Sequence, residues 1–334
     1  MSILILGGAG YIGSHTAAEL VKKGEDVVIA DNLQTGHAQA IPQKSCFYKG
    51  DIRNKSFLDR IFETEQIDAV IHFAANSVVA ESMKFPLKYY DNNLLGTLTV
   101  LDSMIEHGVE NIVFSSTAAV YGEPESIPIK ESCKTEPSNA YGETKLAMEK
   151  MFKWASYAHN LKFVSLRYFN ACGASIDGNI GEDHFPETHL IPLILQAANS
   201  MRDTVKIFGT DYDTHDGTCI RDYIHVSDLA NAHILAVEYL KSGGKSDVFN
   251  LGNGHGFSVK EIIDTARKIT AHPIPAINAE RRAGDPSVLI ADSRKAKNIL
   301  GWIPTHSTPD EIIATAWNWH QKHPNGFGEK ILKS

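Results

Sequence analysis

Along the first half of the chain two hydrophobic patterns alternate. Short runs rich in apolar and β-branched residues predict strands at Ile3–Leu6, Val27–Ala30, Cys46–Lys49, Ala69–Phe73, Asn111–Ser115 and Lys162–Arg167. Between them, longer stretches with apolar positions at helical spacing predict helices over Thr16–Lys23, Asn54–Glu65, Leu87–His107 and Tyr141–His159. Parallel strands need crossovers of about that length, so the expectation is an α/β fold with a doubly wound parallel sheet. From Asn170 onward strands shorten, Gly and Pro clusters recur, and helices over Leu190–Met201, Val226–Lys241 and Val259–Thr270 stand between irregular segments. This change of texture divides the chain into residues 1–170 and a smaller mixed α/β C-terminal domain, 171–334, which covers the substrate. Val248–Leu251 is a candidate strand for return to the main sheet.

The first strand runs directly into Gly7-Gly8-Ala9-Gly10-Tyr11-Ile12-Gly13 and then a helix that Gly24 can end. Glycines so placed tighten the strand-to-helix bend, admit a pyrophosphate to the backbone and let helix and strand pack closely, while the helix start offers free N–H groups. The context is that of a Rossmann-type dinucleotide site, with Gly7, Gly10, Tyr11, Ile12 and Gly13 at the phosphates. The second strand ends in Asp31, eighteen residues past Gly13, where a carboxylate accepts hydrogen bonds from a ribose; Asn32 follows, with no Arg to receive a 2′-phosphate, which favours NAD over NADP. Later strand ends offer Asp51 and Ile52 to bracket an adenine, and Phe73, Ala74 and Ala75 for close backbone approach to ribose and pyrophosphate.

Composition narrows the partners. The 334 residues carry a formal charge of −8, and the pI is near 6.0. Both oppose sequence-independent binding to nucleic acid or anionic membrane. No apolar stretch approaches the roughly 18 to 20 residues that span a bilayer, so a soluble, cytoplasmic protein is expected. Cys46, Cys133, Cys172 and Cys219 are scattered and read as reduced thiols. The fifteen His include no H-E-x-x-H, and the pair His320 and His323 lies in a polar tail, so no metal is expected. Gly244-Lys245-Ser246 lacks the upstream glycine of a P-loop, Tyr239 standing there, and no G-x-S-x-G elbow occurs.

The chemistry points to the end of the fifth strand and the helix after it. Thr117 follows that strand, and Tyr141 and Lys145 sit one turn apart on one helix face. A phenol with a reference pKa of about 10 is a poor base, but a neighbouring ammonium and an oxidised nicotinamide both favour phenolate, and a threonine hydroxyl can share the proton.

Gly7, Gly10 and Gly13, with Asp31, Thr117 and the Tyr141/Lys145 pair, resemble the extended short-chain dehydrogenase/reductase family over essentially the whole chain. Within it, Tyr89–Asn93, Leu166–Asn170, Gly217–Leu229 and Arg281–Asp285 are similar to the branch that epimerises UDP-hexoses at carbon 4. The resemblance implies Asn92 and Phe169 at NAD, and Asn170, Leu190, Phe208, Arg221, Arg282 and Asp285 at the UDP-sugar. Guanidinium forks suit a diphosphate and a carboxylate suits a ribose diol. Implied too are oxidation of the 4-hydroxyl, rotation of a 4-keto sugar, re-reduction from the other face, and a homodimer through helices Asn92–His107 and Tyr141–His159. Related dehydratases carry Asp-Glu after the active-site hydroxyl; here Ala118 and Ala119 stand there, which disfavours dehydration and other net redox chemistry. A non-catalytic NAD-binding relative would lack the Tyr or the Lys, and both are present. Ser77 replaces a Lys that some relatives place near the pyrophosphate, and Leu289 falls near the sugar's 2-substituent, where a mid-sized side chain would admit an N-acetyl group.

Overall fold

A computed structural model describes residues 2–282 and 285–328. The first half alternates β1 (Ser2–Leu6), α1 (Tyr11–Lys22), β2 (Asp26–Asp31), β3 (Cys46–Lys49), α2 (Lys55–Thr64), β4 (Ile67–His72), α3 (Val79–Lys84), α4 (Pro86–Tyr89), α5 (Gly96–Glu106), β5 (Asn111–Ser115), α6 (Ala140–Ala158) and β6 (Lys162–Tyr168). The second half adds β7 (Asn170–Cys172), α7 (Leu190–Ala198), β8 (Val205–Phe208), β9 (Ile220–Arg221), β10 (Tyr223–His225), α8 (Val226–Lys241), β11 (Asp247–Leu251), β12 (Phe257–Ser258), α9 (Val259–Thr270), β13 (Ala276–Ala279), β14 (Val288–Leu289), α10 (Arg294–Leu300) and α11 (Pro309–Lys322).

Seven parallel strands form one sheet in the order β11-β6-β5-β4-β1-β2-β3. The strands read as unbroken apolar runs because both faces are covered. Ile3, Ile5, Val27, Ile29, Ile71 and Val113 point to one face, where residues of α1 and α8 cover them. Leu4, Leu6, Val28, Val70, Ile112 and Phe114 point to the other, against α2, α5 and α6. Gly24, at φ +83°, follows the last turn of α1, and Asn54 and Asn139 accept N–H bonds at the starts of α2 and α6. β11 pairs with β6, so Val248–Leu251 does return to the main sheet. A separate core gathers α7, α9 and α11 around Ile194, Leu195, Ile262, Ile263 and Ile312.

The helix expected over Leu87–His107 is instead three pieces: α4, a π-helical turn over Tyr90–Leu95, and α5. The wide turn presents neighbouring residues in different directions. Asn92 lines the cleft described below. Asn93 is fully buried; its Oδ1 accepts from the Asn76 N–H at 2.8 Å, and its Nδ2 donates to Thr144 Oγ1 at 3.0 Å. The turn thus ties the loop after β4 to α6, one residue ahead of Lys145.

Strand order reverses between β1 and β4, and a cleft opens beyond the carboxyl ends of the strands there, as the crevice rule for such sheets requires. No helix among the described residues is long and apolar enough to cross a membrane.

Candidate active site

The cleft has a volume of about 730 Å³, and the glycine turn forms its floor. Gly7 has φ +80°, and a β-carbon there would lie 2.6 Å from the Ala74 nitrogen. One on Gly13 would lie 2.3 Å from the Gly7 carbonyl oxygen. Both positions therefore exclude any larger residue for reasons internal to the fold. Gly10 differs: a β-carbon there would meet only the Gly7 oxygen, at 3.3 Å, and would otherwise intrude on the cleft that Gly10 lines. Gly10 is also the N-cap of α1 and supplies no side-chain cap, so the first N–H groups of the helix remain available to an anion. A cradle of this shape fits a dinucleotide pyrophosphate.

Asp31 closes the next wall. It is 8% exposed, and its carboxylate accepts the Ala9 N–H at 3.0 Å and the Leu33 N–H at 2.8 Å. Burial pushes its carboxyl above the usual range, and those two bonds pull the other way. Gly7, Gly10, Tyr11, Ile12, Gly13, Asp31, Asn32, Ile52, Phe73, Ala74, Ala75, Asn92 and Phe169 all line the one cleft, along with Ser77. Asp51 does not. Its carboxylate is turned to Arg53, at 2.7 Å from NH2 and 3.0 Å from Nε, and that pairing holds its pKa down at about 2.

Thr117, Tyr141 and Lys145 meet at the far end of the same cleft. Thr117 opens a 3-10 turn over Ala118–Tyr121, its Oγ1 accepting the Ala119 N–H at 3.1 Å. Tyr141 and Lys145 are held by α6, whose cap, Asn139 Oδ1, accepts the Gly142 N–H at 2.9 Å. Lys145 Nζ donates to the Ser115 carbonyl at 2.8 Å, lies 4.8 Å from the centre of the Phe114 ring and 5.9 Å from that of Tyr141. Burial drives its ammonium down to about 7 against the upward pull of Glu149. Burial likewise pushes the Tyr141 phenol up to about 12, a hydrogen bond with Thr117 acting in the opposite direction. The amine alone therefore does not acidify the phenol; the expectation counts on an oxidised nicotinamide as well. Without a second positive charge nearby, desolvation wins.

Behind this trio lies a network with no sequence signal of its own. Arg167 Nε donates to Glu149 Oε1 at 2.9 Å and its NH2 to Oε2 of the same carboxylate. Ser116 donates to that carboxylate too. Arg167 NH1 reaches the Tyr121 hydroxyl at 2.9 Å, which donates to Asn250 Oδ1 at 2.6 Å. The segment after β5, with its 3-10 turn, is thus joined to α6, β6 and β11 beneath the reacting end. Tyr168, also missed in the sequence, bonds Ser115 through its hydroxyl; only its place beside Phe169 and Asn170 could have marked it.

On the opposite wall stand Asn170, Leu190, Arg282, Asp285 and Leu289. Arg221 and Phe208 sit one layer back. Arg221 pairs with Asp285 through NH2 and donates NH1 to the Ile220 carbonyl at 2.8 Å. The Arg282 guanidinium lies 4.1 Å from the centre of the Phe208 ring, a cation–π contact that fixes its direction. Ala283 and Gly284, within the Arg281–Asp285 stretch, lie outside the described residues. Asp222, between Arg221 and Tyr223, accepts N–H bonds from Asn253 at 2.8 Å and from Gly254 and Ala291 at 3.2 Å. It binds the loop after β11 to the segment after β14.

With that geometry in view, the likeness to known proteins is direct. The NAD dependent epimerase/dehydratase family matches residues 3–252. The UDP-glucose 4-epimerase of Halalkalibacterium halodurans is 60% identical over 327 residues, 98% of each chain. A crystal structure of a UDP-glucose 4-epimerase superposes with a TM-score of 0.97 at 57% identity, covering 98% of this chain and 100% of its own. A UDP-glucose 4-epimerase from Bifidobacterium longum, in complex with NAD+ and UDP, superposes at 0.92 and 40% identity, with coverage of 98% and 100%.

Proposed function

The chain belongs to the NAD dependent epimerase/dehydratase family, and on that footing we propose that it interconverts UDP-galactose and UDP-glucose through oxidation at carbon 4, rotation of the 4-keto sugar and re-reduction. One observation carries the reading: Thr117, Tyr141 and Lys145 share a cleft with the glycine cradle and Asp31, while Ala118 and Ala119 supply no carboxyl group beside them. Bound NAD would supply the hydride acceptor and donor for carbon 4. The cradle of Gly7, Gly10 and Gly13 with the start of α1 would hold its pyrophosphate, and Asp31 its adenine-side ribose.

Tyr141 takes the proton of the sugar's 4-hydroxyl and later returns it. Thr117, which lines the cleft beside Tyr141, shares that proton and orients the hydroxyl. Lys145 fixes the phenol's surroundings and, when protonated, favours phenolate. Arg282 and Asp285 hold the diphosphate and uridine, supported from behind by Phe208 and Arg221. A firm grip on the UDP end and a loose one on the hexose lets the sugar present either face. Leu289 lines the cleft, and a mid-sized side chain there would admit a 2-acetamido group, which makes UDP-N-acetylhexosamines a second substrate class.

The partner is a second copy of the chain. Leu95, Leu98, Trp154 and Tyr157, on the two helical segments expected at the interface, are 45%, 48%, 66% and 87% exposed, more apolar surface than two adjacent helices ordinarily leave in water. Sedimentation of micromolar protein as monomer alone would overturn this. The scattered sequence positions of the four cysteines accord with a cytoplasmic location.

The decisive test is incubation of purified protein with UDP-galactose and no added cofactor. UDP-glucose should appear, and Tyr141→Phe should slow its appearance by about 10²-fold or more. Equal rates in the two proteins would refute the assignment.

A further inference from the structure

On the cleft wall just ahead of α7, four ligand-type side chains converge within eight residues: Glu182, His184, Glu187 and His189. Their donor atoms all lie within 4.8 Å of one another. His184 Nδ1 is 3.2 Å from Glu182 Oε1 and 3.8 Å from Glu187 Oε2, His189 Nδ1 is 3.7 Å from Glu187 Oε1, and His189 also contacts Glu182 directly. A tetrahedral ion with bonds of about 2.0–2.1 Å sets its ligand atoms about 3.4 Å apart. The observed separations straddle that edge: the two Glu187 contacts close by about 0.3–0.4 Å, and the direct Glu182–His189 hydrogen bond opens by about an ångström as the ion takes its place. We propose that Glu182, His184, Glu187 and His189 bind one first-row divalent cation, with Zn2+ the preferred ion.

Charge and burial argue the same way. The side chains of Glu182 and Glu187 are 5% and 6% exposed. Among the described residues neither forms an ion pair with Lys or Arg; their ion-pair partners are these two imidazoles. Metal ligation requires both rings neutral, and the two carboxylates then carry charge −2, which a divalent ion cancels. Two nitrogen and two oxygen donors suit Zn2+ or a neighbouring transition ion, whereas Ca2+ and Mg2+ call for six or more oxygens. His189, at 58% side-chain exposure, leaves an entry path. The His/Glu alternation in this stretch was the available sequence signal; its loop context, unlike a helical H-E-x-x-H, hid it.

The ion's role follows from its neighbours. The His184 ring meets the Tyr11 ring edge-on at 6.2 Å, and the Tyr11 hydroxyl donates to the Gly173 carbonyl at 2.6 Å. The Trp319 indole donates to the Glu182 carbonyl at 3.3 Å. A cation here would pin the segment between β7 and α7 against the start of α1, beside the phosphate cradle. It is structural and takes no part in hydride transfer, so the proposal stands apart from the epimerase reading.

The test uses the NAD-loaded full chain, stripped of metal by a chelator and titrated with Co2+. One equivalent should produce the visible absorption of tetrahedral Co2+, Zn2+ should displace it, and Zn2+ should raise the melting temperature. Both effects should vanish in the His184→Ala/His189→Ala variant, and the band should change in Glu187→Gln, which keeps the side-chain shape. Absence of the band in the parent chain, or the same band in both variants, would overturn the site.

Discussion

Glu149→Gln probes the network beneath the reacting end, because it deletes one charge and leaves the side-chain volume nearly unchanged. Glu149 and Arg167 are only 6% and 7% exposed at their side chains and meet through two hydrogen bonds. Gln cannot neutralise the guanidinium, so the variant leaves an uncompensated buried cation, a change that costs about 3–5 kcal/mol. For a chain of 334 residues the unfolding entropy is about 0.7 kcal/mol/K, so the melting temperature should fall by about 4–7 °C. A second effect reaches the cleft. Glu149 is the group that opposes burial at Lys145, and without its charge the ammonium loses its proton more readily, at a pKa below about 7. If activity needs that ammonium, it is lost as pH rises through the Lys145 pKa, and this limb should move to lower pH in the variant. Differential scanning calorimetry reads the first effect and a pH–rate profile the second. Glu149→Gln/Arg167→Met, which removes the stranded cation, should regain part of the lost stability. A melting temperature within 1 °C of the parent's and a superimposable pH profile would refute the argument.

Other outcomes follow from single contacts. Lys145 has a folded pKa of about 7, lowered from 10.5 by burial, so between those values the unfolded chain binds more protons than the folded one. Its share of cofactor-free stability is therefore smallest below about pH 7 and grows as pH rises toward 10.5; Lys145→Met should flatten that rise in urea melts. Gly13→Ala sets a β-carbon against the Gly7 oxygen, an overpacking cost of about 1–3 kcal/mol or more; the purified variant should carry far less NAD by absorbance at 260 nm, and parental NAD content would contradict the cradle. Leu289→Tyr should slow turnover of UDP-N-acetylglucosamine while sparing UDP-galactose, and equal rates of parent and variant on the acetylated sugar would rule out a gating role for Leu289.

What was legible in the sequence was whatever depends on neighbours in the chain. β1, the turn and α1 are adjacent, so the glycine spacing and the apolar run before it announce them together; Tyr141 and Lys145 are one helical turn apart and announce each other. The crossover pattern gave the parallel sheet, down to the return of β11. The helix over Leu87–His107 was misread as continuous because a π-helical turn keeps helical spacing while rotating the register, and its cause, the burial of Asn93 against Asn76 and Thr144, lies outside the segment. Arg221 and Phe208 are placed at the substrate by resemblance alone; their contacts with Asp285 and Arg282 join segments far apart in the chain and leave no signal in the sequence. The Glu149–Arg167 pair spans two elements and, in sequence, resembles any surface salt bridge.

Desolvation leaves the cofactor-free site with a neutral phenol, at about 12, and a half-neutral amine, at about 7. Both shifts have one origin: a dry pocket disfavours charge of either sign. Basicity is therefore not a standing property of the Tyr141 phenol. Lys145 Nζ is engaged by the Ser115 carbonyl rather than the phenol, and at Tyr141 burial outweighs what its neighbours offer the phenolate. An oxidised nicotinamide held in this cleft would supply positive charge at low dielectric, where a unit charge acts several times more strongly than in water. Base strength at Tyr141 is then linked to cofactor occupancy, and whatever favours phenolate must favour retention of the oxidised dinucleotide by the same free energy. That reciprocity is what a reaction that returns its hydride within each turnover needs: the cofactor stays, and the phenol is acidic only while it does.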